Sequence, residues 1–127
     1  MINFTKGGSF DLVKVPDSRL IGAVSKLFIS GEKLVGVYQT LRDQVVFTNM
    51  RIITVDVEGF TGLKKEFFIL PYSRIQYFGV RTPGFAELIP DAELILYFAN
   101  GMEAILEFKG NSDILQIGCD ISTYTLR

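Results

Sequence analysis

The sequence predicts a mainly β domain: a bent antiparallel β-sandwich or partly open barrel of seven strands, with a short N-terminal helix and a C-terminal α-helix as cap. Three observations predict it. From Glu32 to Phe108 the apolar residues recur with a period of two. Turn residues interrupt that period at short intervals, at Asn49, Gly59, Gly62, Pro83-Gly84 and Asn100-Gly101. Beyond residue 110 the spacing becomes helical. A chain of 127 residues with eleven Phe and five Tyr reads as a single domain, 1–127, able to bury a core of its own.

Taken in order, residues 1–15 carry glycines and no clear period, and are expected as an irregular arm. Residues 16–30 read as a helix. Asp17 or Ser18 would cap it, Leu20, Ile21, Val24, Leu27 and Phe28 share one face, and Ser30-Gly31 would end it. The β core occupies 32–108, with strands near 33–39, 44–48, 51–57, 64–70, 74–82, 92–98 and 102–108. Asn49 can take a positive φ between two strands. Asn100-Gly101 is a type I′ hairpin signal, and such short connections imply antiparallel pairing. The C-terminal helix spans 111–126, with Asn111 or Ser112 as cap and a stripe of Ile114, Ile117, Ile121 and Tyr124, widened by Leu115. Gly118 inside it implies a close approach to the sheet, since glycine otherwise costs a helix about 1 kcal/mol.

The residues that carry chemistry are mostly missing. There is no histidine, which removes the usual general base near neutral pH and the commonest zinc ligand. The lone Cys119 has no disulfide partner and reads as a structural thiol. No glycine-rich phosphate loop is present. Asp56 and Glu58 point to one face of a strand, but two carboxylates do not make a calcium site. Glu103 and Glu107 share a face and would keep a sheet edge soluble. No catalytic residue, metal or cofactor is therefore expected, and the chain does not read as an enzyme. Thirteen basic against fourteen acidic residues give a net charge of −1, with no basic stripe for nucleic acid. No apolar run reaches the roughly 18 residues of a spanning helix, and the start lacks the layout of a secretory signal, so a cytoplasmic location is expected.

Several segments together are specific. They are GEKLVGVYQTLRD from 31, VFTNMR at 46–51, VDVEGFTG at 55–62, LPYS at 70–73 and DAEL at 91–94. Joined by KKEFFILPYSRIQYFGV, they resemble the bacterial pleckstrin-homology-like (PH-like) domain family from about Arg42 through the terminal helix. Met50 departs from the pattern, which would place a lysine there. The resemblance implies a seven-stranded bent sandwich with a C-terminal cap. It also implies assembly of short single-domain members into cyclic homo-oligomers, with five-fold symmetry expected, that present a polar surface to a protein partner. Eukaryotic PH domains of this fold often bind inositol phosphates through clustered basic residues in the first hairpin loop. Here that loop, 39–43, offers Arg42 beside Asp43, and Lys64-Lys65 is followed by Glu66, so phosphoinositide binding is not expected.

Sorting strand residues by face places Ala92, Leu94, Leu96, Phe98, Met102, Ala104, Leu106 and Phe108 inside, with Ile95, Tyr97 and Ile105 outside. In 51–57, Ile53, Val55 and Val57 read inward and Ile52 outward; 64–70 has apolar residues on both faces, Phe68 among them. A run of outward apolar residues along neighbouring strands suggests an interface. Ile52, Phe68, Ile95, Tyr97 and Ile105 are its expected members, with the helix of 18–29 covering part of the same surface. The expected partner-binding residues are Arg42, Asp43, Arg51, Asp56, Arg74 and Arg81. An alternative is a small-ligand or lipid-headgroup site at the open end of the barrel or in the loop near 83–90.

Overall fold

The computed structural model describes residues 8–84, 91–109 and 113–126. The seven expected strands are present with boundaries shifted by at most one residue: β2 (Leu34–Thr40), β3 (Asp43–Thr48), β4 (Arg51–Glu58), β5 (Lys64–Pro71), β6 (Ile75–Arg81), β7 (Asp91–Phe98) and β8 (Glu103–Lys109). An eighth, β1 (Gly8–Val15), lies in the segment expected as an irregular arm. The eight form one sheet in the order β5-β4-β3-β2-β1-β8-β7-β6.

β1 is the hinge of this sheet, and that explains why its sequence looks patternless. Gly8 and Ser9 pair in parallel with β8, the one parallel ladder among the described strands, whereas Val13–Val15 pair antiparallel with β2. The register breaks between Ser9 and Leu12, where Asp11 takes φ 62°. A bulge of this kind shifts the alternation of faces part-way along the strand. Leu12 is consequently buried against the main core, while Val15 packs into a second cluster.

The sheet curls so that β2–β5 and β6–β8 enclose the main core, which includes Leu12, Tyr38, Phe47, Ile52, Leu94, Leu106 and Phe108. Helix α2 (Ile114–Thr125) contributes Ile114, Ile117 and Ile121 to the same core. Gly118 permits the close approach its position implied: a Cβ there would lie 3.4 Å from Val80 Cγ1. The helix is capped by Asp113, which accepts a hydrogen bond from the Gln116 N–H at 3.1 Å. The expected caps, Asn111 and Ser112, lie outside the described residues, as do 85–90 of the loop near 83–90.

The helix expected over 16–30 does not form. The segment is a 3-10 turn at Asp17–Arg19 and a single helical turn, α1 (Gly22–Ser25), neither with a side-chain cap. Buried Gln44 supplies the reason: its side chain accepts from the Ile21 N–H at 3.0 Å and donates to the Arg19 carbonyl at 2.7 Å. Those backbone groups are thereby withdrawn from an α-helical ladder, and Gly22 adds no propensity to restore it. Leu20, Ile21, Val24 and Phe28 still face the sheet, covering Val37, Val46, Ile53 and Val55 on its outer side.

This cover reverses the expected faces of β4. Ile52 sits in the main core with no exposed surface, while Ile53, Val55 and Val57 face the outer cluster. With both faces buried, a strand carries no polar alternation to mark which side is inside. Asn49 does not use the positive φ open to it; the non-glycine residues with positive φ among those described are Asp11 and Leu41. No helix of the described residues is long and apolar enough to cross a membrane.

Candidate interaction surface

Three of the segments that carried the family resemblance, GEKLVGVYQTLRD, VFTNMR and LPYS, converge on one turn. Thr48 Oγ1 accepts from the Met50 and Arg51 N–H groups, each at 3.1 Å, and closes the β3–β4 connection. Asn49 reaches sideways, accepting from the Lys33 N–H at 2.8 Å and donating to the Gly31 carbonyl at 3.0 Å. Arg51 donates to both oxygens of Glu32, from Nε to Oε2 at 2.9 Å and from Nη2 to Oε1 at 2.8 Å, and to the Leu27 carbonyl. Tyr72, from LPYS, donates its hydroxyl to the Thr48 carbonyl at 2.8 Å. Burial pushes the Glu32 carboxyl up, but its hydrogen bonds with Arg51, Thr48 and the Ile29 N–H outweigh that and hold it below its ordinary value. Burial also raises the Tyr72 phenol. These groups form a clamp fastening the 27–33 segment to the sheet. Arg51 is consumed by it and cannot serve as a presented residue, which corrects the expectation.

Two neighbouring hairpin tips are tied in a similar way. Arg42 Nη1 donates to the Gly59 carbonyl at 2.7 Å, and Asp43 Oδ1 accepts from the Val57 N–H at 2.8 Å. Gly59 and Gly62 both take positive φ, as turn glycines should. Asp56 is only 3 % exposed, so it too is removed from the presented surface. Burial raises its carboxyl, with Asp43, Glu66 and Glu58 pushing the same way. The tips themselves carry Leu41, Phe60 and Leu63, all strongly exposed apolar side chains. Polarity sorting did not single them out; apolar residues inside turn motifs are the signal that would have.

The remaining charged residues lie apart from these tips. Arg74 is exposed beside an apolar hollow lined by Leu70, Phe98 and Met102. Arg81 Nη1 faces Glu93 Oε1 at 3.6 Å across β6 and β7. The six residues expected on one partner surface therefore do not form one.

The expected apolar interface divides in the same manner. Ile52 and Ile95 are buried within their own chain, 0 % and 3 % exposed, and cannot meet a neighbour. Ile105 and Tyr97 are half-buried on the outer face of β7 and β8, and Phe68 is half-exposed on β5. Tyr77, which the sequence reading missed, stacks on Tyr97 with ring centroids 4.3 Å apart and remains 62 % exposed. The ends of the sheet are β5 and β6, each paired with a strand on one side alone among the described residues. An open sheet edge is a template for pairing with another chain.

A curled open β-sheet capped at one end by a C-terminal helix is the PH-like fold, and the arrangement defines the chain as a PH-like domain. The family model for the bacterial PH domain matches residues 4–125, and the chain belongs to that family. It is 35% identical over 96 residues to the uncharacterized protein YjqA of Bacillus subtilis (strain 168), covering 74% of this chain and 75% of that one. The uncharacterized protein YozO of the same organism is 31% identical over 110 residues, with 87% and 90% covered. Among solved structures, a DUF1696 family protein with a pleckstrin-homology domain from Shewanella loihica PV-4 superposes with a TM-score of 0.78 at 30% identity, covering 92% of this chain and 99% of that one.

Proposed function

We propose that this domain is a non-catalytic interaction module of the cytoplasm that assembles into a cyclic homo-oligomer and uses the assembly as a platform for a protein partner. One observation carries the reading: an eight-stranded sheet with two differing free edges, β5 and β6, among the described strands. Edges that differ pair head to tail, and a head-to-tail contact that closes makes a ring. The exposed Tyr77 on β6 and the half-exposed Phe68 on β5 give both edges apolar area to bury on contact. The tied tips bearing Leu41, Phe60 and Leu63 are then repeated around the ring. Repetition multiplies a weak contact into a tight one. Size-exclusion chromatography with light scattering at micromolar concentration tests the assembly. A mass several times that of one chain is expected, and a monomer overturns the reading.

The same bare tips support a second reading, docking on a lipid surface. Liposome flotation separates the two, since a protein platform stays with the soluble fraction.

A further inference from the structure

Between β1, β2 and α2 lies a cleft of about 320 Å³. Its floor is apolar, formed by Val35, Phe47 and Ile117 beside the ring of Tyr38. Its helical wall carries Asp113, Gln116 and Asp120, and Lys14 lines the strand side. Two turns of helix separate the two aspartates, which places them on one face.

Gln116 fixes both carboxylates. Its backbone N–H donates to Asp113 Oδ1 at 3.1 Å and its Nε2 donates to Asp120 Oδ1 at 3.0 Å. Among the described residues neither carboxylate forms an ion pair or takes another hydrogen bond. Each therefore keeps an oxygen uncommitted beside the cleft.

Tyr38 is the second, independent observation. It is 8 % exposed and lines the cleft, yet its hydroxyl makes no hydrogen bond among the described residues. The hydroxyl oxygen is not itself enclosed; it is the part of this side chain that the cleft leaves accessible. The ring is held edge-on against Phe47 and Phe108, with centroids 5.5 Å and 5.0 Å away, which fixes where the hydroxyl stands.

We propose that this cleft binds a small organic cation, an ammonium head on a short apolar stem. The head lies among Asp113, Asp120 and the Tyr38 oxygen, and the stem lies on Val35, Phe47 and Ile117. Two carboxylates against one lysine favour a cation over an anion. An apolar floor favours an organic cation over a bare metal ion, and the described residues hold no cluster of three metal-ligating side chains. Burial together with Asp120 and Asp113 pushes the Tyr38 phenol up to about 12, so at neutral pH the group is a protonated hydroxyl whose lone pairs accept from an ammonium. The cleft draws on β1, β2, β3 and α2 and on neither edge strand, so the inference stands apart from the ring assembly.

Isothermal titration calorimetry on the full chain tests it, with n-propylammonium and n-butylammonium as probes and n-butanol and butyrate as controls. Probes of about four to five heavy atoms gaining about 1 kcal/mol per heavy atom bind with a Kd of roughly 0.2–1 mM. Saturable binding of a cationic probe is expected, with none for either control. Tyr38→Phe removes a hydroxyl without a protein partner, and Asp120→Asn keeps the acceptor for Gln116 while removing the charge. Each is expected to weaken binding by about fivefold or more while leaving the melting temperature near that of the parent chain. Absence of saturable binding to either cation at about ten times the expected Kd, equal binding of butyrate, or affinity unchanged in both variants overturns the proposal.

Discussion

The Glu32 carboxylate meets the Arg51 guanidinium at 2.8 Å, with no exposed surface left on the Glu32 side chain. Nineteen residues of sequence separate them, and the pair is what closes the 27–33 segment onto the sheet. Removing one partner leaves the other buried and uncompensated. Arg51→Ala is therefore expected to cost about 3–5 kcal/mol in urea unfolding. The Glu32→Ala/Arg51→Ala double variant should lose less than the sum of the two single ones, which a double-mutant cycle reads directly.

The same pair sets an acid response. The folded-state value of Glu32 lies below the ordinary 4.5, so the folded protein binds fewer protons at this site than the unfolded chain. Its contribution is present in full above pH 4.5 and is lost as the pH falls through the folded value. Glu32→Gln is expected to unfold with a shallower loss of stability between about pH 5 and pH 3 than the parent chain, measured by thermal melts across that range. Equal slopes would remove Glu32 from the account.

Tyr72→Phe deletes the hydroxyl that donates to the Thr48 carbonyl from a buried position. The ring and its stacking on Tyr124 remain. A loss of about 1–2 kcal/mol is expected, with no change in m-value.

Leu41 holds φ 43° at the tip between β2 and β3, where its side chain is almost wholly in water. A leucine in the left-handed region is strained and gains nothing there from burial. Leu41→Asn should stabilise the domain by about 0.5–1 kcal/mol, because asparagine tolerates that conformation. A destabilised variant would mean that the leucine makes a contact within the folded chain.

Tyr77→Lys puts a charge on the exposed side of the β6 edge. Lysine on an edge strand opposes strand addition. If the domain assembles through its edges, this variant should run as a monomer in light scattering while its far-UV circular dichroism stays unchanged. An assembly of undiminished mass would place the contact elsewhere.

Sequence by itself determined the strands β2–β8 and the terminal helix. Their apolar periods are long, and the turns between them carry residues with a backbone preference of their own, Gly59, Gly62 and Gly101 among them. It also determined the inner face of β7 and β8, where Ala92, Leu94, Leu96, Ala104, Leu106 and Phe108 alternate with residues such as Glu93 and Glu103. Tertiary structure alone decided the rest. β1 is a strand because β2 and β8 each offer it an edge, and its bulge at Asp11 erases the period that would have announced it. The 16–30 segment stays irregular because Gln44, more than twenty residues away, holds its backbone. Ile52 faces the core instead of a neighbour because both sides of β4 are covered, which leaves no polar face to fix the assignment. Asp113, Asp120 and Tyr38 meet in one cleft because the helix packs across the curled sheet. Local periodicity records what a residue needs from its immediate neighbours; which distant group comes to satisfy it is settled by packing.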